Sequence, residues 1–381
     1  MRDTCLRPII AALLAGLALT GCPTIPLNCD SKPTIMTTAD GVEFVRTPNE
    51  RFDNLPDFPY EGRYVEIDGL RQGYVDEGPI DADPVLLLHG QPSWSYLYRK
   101  MIPVLAEGGQ RVIAMDHLGM GRSDKPINIE DYSYLGHIDR LEQFIIALDL
   151  QNITLFCQDW GSLIGLHVAG MNPDWFARIV VGDGALPVLP EGEELIPPVR
   201  FPNRIDYVSL SPFGFIPEQQ QPFFDEEGNP LTDSAGNADF FSTWAEYSMK
   251  AASFHPAEVV EAITWFDLTP EEEAAYDAPF PCRKYLTGAR VFPSLVRELA
   301  GVNDEAWAGL MAYEKPFLTI WASNDPGNMG TQEAQDVLID NIPGAAGQPH
   351  TRLPEASHFL QDDQGPEIAR LMLEFIAANP R

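Results

Sequence analysis

The residues best suited to chemistry stand in the segment Cys157-Gln158-Asp159-Trp160-Gly161. An apolar run over residues 153–157 leads into it, and Gly161 opens the run Ser162-Leu163-Ile164-Gly165-Leu166. A strand that turns sharply into a helix exposes one side chain above its sheet, and small residues flank that centre because backbones crowd there. Here the centre is an aspartate. No G-x-S-x-G pentapeptide occurs in the chain, which argues against a serine nucleophile. A carboxylate at a helix N-terminus stays ionised and can attack carbon directly. The bland alternative is an N-cap aspartate with no chemical role. Two partners follow in the order nucleophile, acid, base. Asp325 ends the apolar run 317–322, and His358 lies in a later loop before the last helix. An imidazole oriented by a carboxylate is what activation of water requires.

Alternating strands and helices must position these groups. Residues 63–67 and 70–76 read as paired strands around the Asp68-Gly69 turn. Runs at 84–88, 110–115 and 153–157 read as buried parallel strands, and 179–181 and 317–322 supply two more. Leu135, Ile138, Leu141, Ile145 and Leu148 give residues 135–148 a helical face, and the chain closes on a helix over 366–378. This alternation predicts an α/β fold with a mostly parallel central sheet flanked by helices. The chain order Asp159, Asp325, His358 is that of the α/β-hydrolase fold. Residues 186–310 break the alternation; rich in Pro, Glu and aromatics, with helices at 257–266 and 270–276, they read as an inserted helical cap. The core is then 41–185 and 311–381. His89-Gly90-Gln91-Pro92 follows the strand 84–88, where this fold takes an oxyanion-hole donor, here the Gln91 N–H beside that of Trp160. His89 reads as a turn residue.

Composition narrows the field. The 381 residues are 45% hydrophobic, enough for a full core, and carry a net charge of −31. That charge opposes nucleic acid and anionic substrates and fits neutral ones. Gly119-Met120-Gly121 lacks the third glycine of a dinucleotide fingerprint. No P-loop, H-E-x-x-H or EF-hand pattern occurs, so no cofactor and no metal are expected. At the N-terminus, Arg2 and Arg7 precede an apolar run over 9–19, too short to span a bilayer and shaped like a secretory signal. It ends in Leu19-Thr20-Gly21-Cys22, which resembles a bacterial lipobox. Cleavage after residue 21 and acylation of Cys22 would give an exported protein, held to a bacterial membrane only through its lipid, with 22–40 as a tether. The catalytic domain would then lie in the periplasm or at the cell surface. A Cys29–Cys282 bridge can form outside the cytoplasm. A monomer is expected.

Beyond these readings, the chain resembles the haloalkane dehalogenases. The likeness rests on His89-Gly90-Gln91-Pro92, on Asp116-His117-Leu118-Gly119-Met120-Gly121-Arg122-Ser123-Asp124-Lys125-Pro126 and on Gln158-Asp159-Trp160-Gly161. It extends into the cap through Ser242-Thr243-Trp244-Ala245-Glu246-Tyr247, Tyr276-Asp277-Ala278-Pro279-Phe280-Pro281 and Gly288-Ala289-Arg290-Val291-Phe292-Pro293. It covers about residues 45–381 and points to the subgroup with its acid after the later strand and a cap tryptophan as second halide ligand.

The resemblance implies hydrolysis of a small neutral halogenated alkane to alcohol, halide and proton. Asp159 would form an alkyl ester that His358-activated water cleaves, and the indoles of Trp160 and Trp244 would bind the halide. Indole N–H is donor-only, so two of them stabilise an anion without offering a base. Three departures qualify this. Gln91 replaces the Glu or Asn usual after His-Gly, and Asp183 sits where other subgroups carry the triad acid, as an alternative to Asp325. Residues 186–239 form a longer stretch than expected before the cap tryptophan. An epoxide hydrolase shares the Asp nucleophile but protonates its substrate with cap tyrosines, for which Tyr207, Tyr247, Tyr276 and Tyr285 are available. A tethered binding protein that keeps the fold without turnover is the non-enzymatic alternative.

Overall fold

Strands covered on both faces are apolar at every position, and the central runs fold that way. The computed structural model describes residues 31–189 and 254–380, with Ile25, Pro26, Asn28, Cys29, Trp244, Ala245, Ser248, Met249 and Ala251 besides. The strands are β1 (Met36–Thr37), β2 (Glu43–Val45), β3 (Arg63–Ile67), β4 (Leu70–Glu77), β5 (Pro84–Leu88), β6 (Arg111–Met115), β7 (Lys125–Pro126), β8 (Ile153–Gln158), β9 (Phe176–Gly182), β10 (Phe317–Ala322) and β11 (Thr351–Leu353). Eight of them form one sheet in the order β11-β10-β9-β8-β5-β6-β4-β3. Pairing is parallel from β11 to β6, while β4 runs antiparallel to both β6 and β3. Side chains alternate across the sheet. Leu86 and Leu88 therefore join the apolar cluster on one face and Val85 and Leu87 that on the other.

The described helices are α1 (Ile102–Glu107), α2 (Tyr134–Ala147), α3 (Trp160–Met171), α4 (Pro256–Ala262), α5 (Pro270–Asp277), α6 (Thr287–Val291), α7 (Asp304–Met311), α8 (Gln332–Asn341) and α9 (Leu360–Ala378). Ser133 caps α2 by accepting from the Gly136 N–H, and Ile138, Leu141, Phe144 and Ile145 form its buried face. Thr269 and Glu272 close a capping box at the start of α5. In the cap region, α4, α5 and α6 precede α7.

Three expectations change. The last helix begins at Leu360, not 366; Pro366 sits just past a kink at Gln364, where φ is −129°. The helix expected over 257–266 stops at Ala262. Past it, the backbone N–H groups of Trp265 and Phe266 donate to Asp363 Oδ1 rather than continuing a helical ladder. Of the stretch 22–40, read as a tether, the described residues are fastened: Met36 and Thr37 pair with β2, and Cys29 is disulfide-bonded to Cys282 with the Cα atoms 5.0 Å apart. Residues 1–24, including Cys22, lie outside the described residues, as does the whole of 190–243.

Candidate active site

Parallel strands deliver their loops to one edge of the sheet, so the ends of β5, β8 and β10 meet there. Asp159 lies between β8 and α3 with φ 51° and ψ −130°. A non-glycine residue in this region costs about 1–3 kcal/mol and persists only when its surroundings fix it. They do so here. The Asp159 N–H donates to the Asp183 carbonyl (3.1 Å), and the Asp159 carbonyl accepts from the Ser162 hydroxyl (2.6 Å) and N–H (2.8 Å). A β-carbon at Gly161 would strike the Leu88 carbonyl, and one at Gly90 would strike the Asp159 side chain. The two glycines thus let the β5 loop close onto the elbow, and the Gln91 N–H donates to Asp159 Oδ1 at 2.7 Å. The Trp160 N–H opens α3, where backbone donors have no intrahelical acceptor.

His358 faces this carboxylate from the loop before α9. Its Nε2 is 3.6 Å from Asp159 Oδ2, and its Nδ1 is 2.8 Å from Asp325 Oδ2. Burial by itself would lower the pKa of this imidazole. The Asp325 charge and the contacts with Asp159 and Asp325 outweigh burial and hold it well above the ordinary histidine value. Asp183 is positioned otherwise. Its Oδ1 accepts from the Ala322 N–H (2.8 Å) and its Oδ2 is buried without a hydrogen-bond partner. Burial, and then the nearby Asp325 charge, push its pKa far up, which favours the neutral form of this carboxyl beneath the elbow. The structure brings Asp325 to His358 and leaves Asp183 to join β9, β10 and the elbow.

Gln158 is a contributor that motif reading passed over. It is fully buried, and its Nε2 donates to the His358 carbonyl (3.0 Å) while lying 3.1 Å from His358 Nε2. Its Oε1 accepts from Gln361 Nε2 (3.4 Å), so both ends of the amide are fixed and its second N–H points at the imidazole. Only contacts across 200 residues of sequence make this visible. The Gln91 side chain turns away from the carboxylate, and its Nε2 donates to the Ala289 carbonyl in the cap (2.7 Å). His89 is fully buried, and its Nε2 accepts from the His117 N–H, as a turn residue would.

The two tryptophans differ in setting. Trp160 packs edge-on to Phe292 of the cap at 5.2 Å. Buried Trp94 and Trp321 donate their indole N–H to carbonyls of Ala275 and Met329, but no acceptor among the described residues meets the Trp160 Nε1. Trp244 is buried as part of the other apolar cluster, with its ring 6.1 Å from that of Phe254. No direct contact joins the two indoles among the described residues. Of the candidate acid tyrosines, Tyr207 and Tyr247 lie outside the described residues. Tyr276 is fully buried with its hydroxyl on Asp362 Oδ2 (2.5 Å), and burial pushes its pKa up, so it serves an internal cluster. Tyr285 is also buried, in the same apolar cluster as Trp244. Among the described residues no group of three or more His, Cys, Asp or Glu is placed to hold a metal ion.

A parallel sheet with an aspartate elbow and a carboxylate-oriented histidine defines a hydrolase class, and residues 83–363 match the family model of the alpha/beta hydrolase fold. Haloalkane dehalogenases from Psychrobacter cryohalolentis and Mycolicibacterium paratuberculosis are 39% and 40% identical to the chain. The first alignment covers 89% of this chain and 100% of the relative, the second 87% and 97%. The solved tetrameric haloalkane dehalogenase DpaA from Paraglaciecola agarilytica superposes with a TM-score of 0.66 at 28% identity, over 86% of this chain and 97% of that one. The chain belongs to the haloalkane dehalogenases.

Proposed function

We propose that the protein hydrolyses small neutral haloalkanes to an alcohol, a halide ion and a proton, with Asp159 as nucleophile. The observation that carries this is the Asp159–His358–Asp325 arrangement at the end of β8 in a chain of this family. Asp159 Oδ1 is held by the Gln91 N–H, which leaves Oδ2 to attack the carbon that bears the halogen. The carbon–halogen electron pair departs with the halide as the ester forms. The Trp160 indole N–H, which meets no acceptor among the described residues, suits the departing anion, with Trp244 as its second donor. Water then attacks the ester carbonyl while His358 takes its proton and Asp325 steadies the imidazolium. The N–H groups of Gln91 and Trp160 hold the oxyanion; as it collapses, His358 returns its proton to the departing alkoxide to give the alcohol, and the regenerated Asp159 carboxyl loses the product proton to solvent. The buried hydroxyl of Tyr276, committed to Asp362, leaves it unable to act as the acid of an epoxide hydrolase.

The signal-like N-terminus and Leu19-Thr20-Gly21-Cys22 support export and acylation of Cys22, and a disulfide at Cys29–Cys282 fits an oxidising compartment. Activity is tested by halide release from 1,2-dichloroethane and 1-bromobutane, using the full chain with Cys22→Ser and the same chain with Asp159→Ala. Release that disappears with Asp159 is expected. Release that persists in the variant, or turnover of styrene oxide in its place, overturns the reading.

A further inference from the structure

The N-terminal segment meets the cap, not the far side of the core. The Ile25 N–H donates to His255 Nδ1 (3.2 Å) at the start of α4, and the Arg283 N–H donates to the Pro26 carbonyl (3.1 Å). Cys29 is then covalently joined to Cys282. Ile25 is the third residue after Cys22. A fully extended chain advances at most about 3.6 Å per residue, so a lipid carried on Cys22 would be leashed to that contact by no more than ~11 Å of chain.

The same helix carries a second feature at its other end. Beyond α4, Trp265 and Phe266 are 42% and 49% exposed. Both of their backbone N–H groups donate to Asp363 Oδ1, at 2.8 and 3.1 Å, so the rings stand on a turn pinned to the core. Large aromatics held outward on a fixed turn suit the boundary between lipid headgroups and acyl chains.

We propose that the part of the cap that presents Trp265 and Phe266 docks on a phospholipid bilayer, held there by an acylated Cys22 leashed to the start of α4 through Ile25. This rests on the lipid-anchor reading of the N-terminus. The face does not bind membranes unaided: the chain is strongly acidic, and Asp267 and Glu271 adjoin the aromatic pair. An anionic leaflet repels such a body over a screening length of about 8 Å at physiological salt. A three-residue leash overrides that repulsion where a long tether would let the domain stand off. The consequence concerns substrate supply. Gln91 bonds the cap at Ala289, and Phe292 of the cap covers Trp160, so the cap roofs the candidate site. A cap-down orientation presents this roof to haloalkanes dissolved in the bilayer.

The test uses the full chain, produced in a lipoprotein-processing bacterium and reconstituted into phosphatidylcholine vesicles with brominated acyl chains. Bromine quenches only tryptophans that reach the bilayer. Tryptophan emission is expected to be partly quenched, with the quenched part lost in Trp265→Phe, a conservative change at an exposed position. Inserting a twenty-residue Gly/Ser linker after Cys22 is expected to abolish the same quenching. Mass spectrometry of the N-terminal peptide separates the two levels. An unacylated Cys22 overturns the anchor and the docking together. An acylated, vesicle-bound chain whose Trp265 emission is unquenched overturns the orientation alone.

Discussion

His358 is pulled two ways at its Nε2. The Asp159 carboxylate at 3.6 Å favours a proton there, whereas the Gln158 amide N–H at 3.1 Å favours a lone pair. In the resting site the carboxylates prevail and the imidazole is held protonated well above its usual pKa. That pair therefore stabilises the folded chain below the ordinary histidine pKa, and the contribution is lost as pH rises through the raised folded value. In the proposed mechanism, ester formation would cancel the Asp159 charge and let His358 release its proton, converting it to the base for the second step. Hydrolysis, not halide displacement, is then expected to carry the acid limb of the pH profile. At pH 5 the Asp159 alkyl ester is expected to accumulate, which rapid quench and mass spectrometry of the peptide bearing Asp159 would detect; equal ester occupancy at pH 5 and pH 9 would refute the assignment. Asp325→Asn is expected to leave a single burst of halide and slow later turnover roughly 10²–10⁴-fold, the usual worth of general base catalysis. Gln158→Leu is expected to move the acid limb up by roughly one pH unit, the equivalent of one hydrogen bond of ~1 kcal/mol. A purely structural glutamine would lower activity without moving that limb.

Elements that contain their own signals were the readable ones. Strands β3, β4, β5, β6 and β8 fall within two residues of their expected bounds because each is a run of apolar or alternating residues that needs no distant partner to be recognised. β11 has three residues, and β7 is a Lys-Pro pair, so neither carries a period. The start of α9 was hidden by Pro366, whose type signals a first helical turn but which here follows a kink. The site divides the same way. Asp159 was legible from its flanking strand and helix, but the choice between Asp325 and Asp183 depends on which carboxylate reaches His358, and no spacing encodes that. Also unreadable was the charge cluster joining α5 to α9. Arg99 is buried, with Asp362 at 2.8 Å and Glu272 at 2.5 Å, and Tyr276 shares Asp362. Burial opposes ionisation of Asp362, but Arg99 and Lys100 prevail and hold its pKa below the usual range. Its stabilisation is thus present above the ordinary aspartate pKa and is lost as pH falls through the depressed value. Removing the cation would strand a buried carboxylate. Arg99→Leu is expected to cost about 3–5 kcal/mol in urea unfolding at pH 7, and a loss below 1 kcal/mol would show the cluster to be superfluous.

At the scale of the molecule, one covalent link ties the chain's beginning to its cap. Cys29 and Cys282 are 253 residues apart, so closing them removes much of the freedom of the unfolded chain. The described N-terminal segment adds two hydrogen bonds to the same region, from the Ile25 N–H to the His255 ring and from the Arg283 N–H to the Pro26 carbonyl. Breaking the bridge therefore acts on two states at once: the unfolded chain gains entropy, and the folded cap loses its fastening. Cys157, the free cysteine among the described residues, is buried in β8, and burial pushes its thiol pKa far up, so it does not compete for exchange. The expected outcome is that Cys29→Ser with Cys282→Ser unfolds about 2–5 kcal/mol more easily than the oxidised chain, and that reductant shifts the oxidised chain's melting temperature but leaves the double variant's unchanged. Halide release at 25 °C tells the two effects apart. If the bridge acts only through the unfolded state, the variant keeps its turnover while losing stability. If it also steadies the roof over Asp159, turnover falls as well, because Gln91 and Trp160 both take contacts from the cap segment that follows Cys282. Equal melting temperatures for bridged and unbridged chains would show that the N-terminal segment is held by its neighbours without need of the bond.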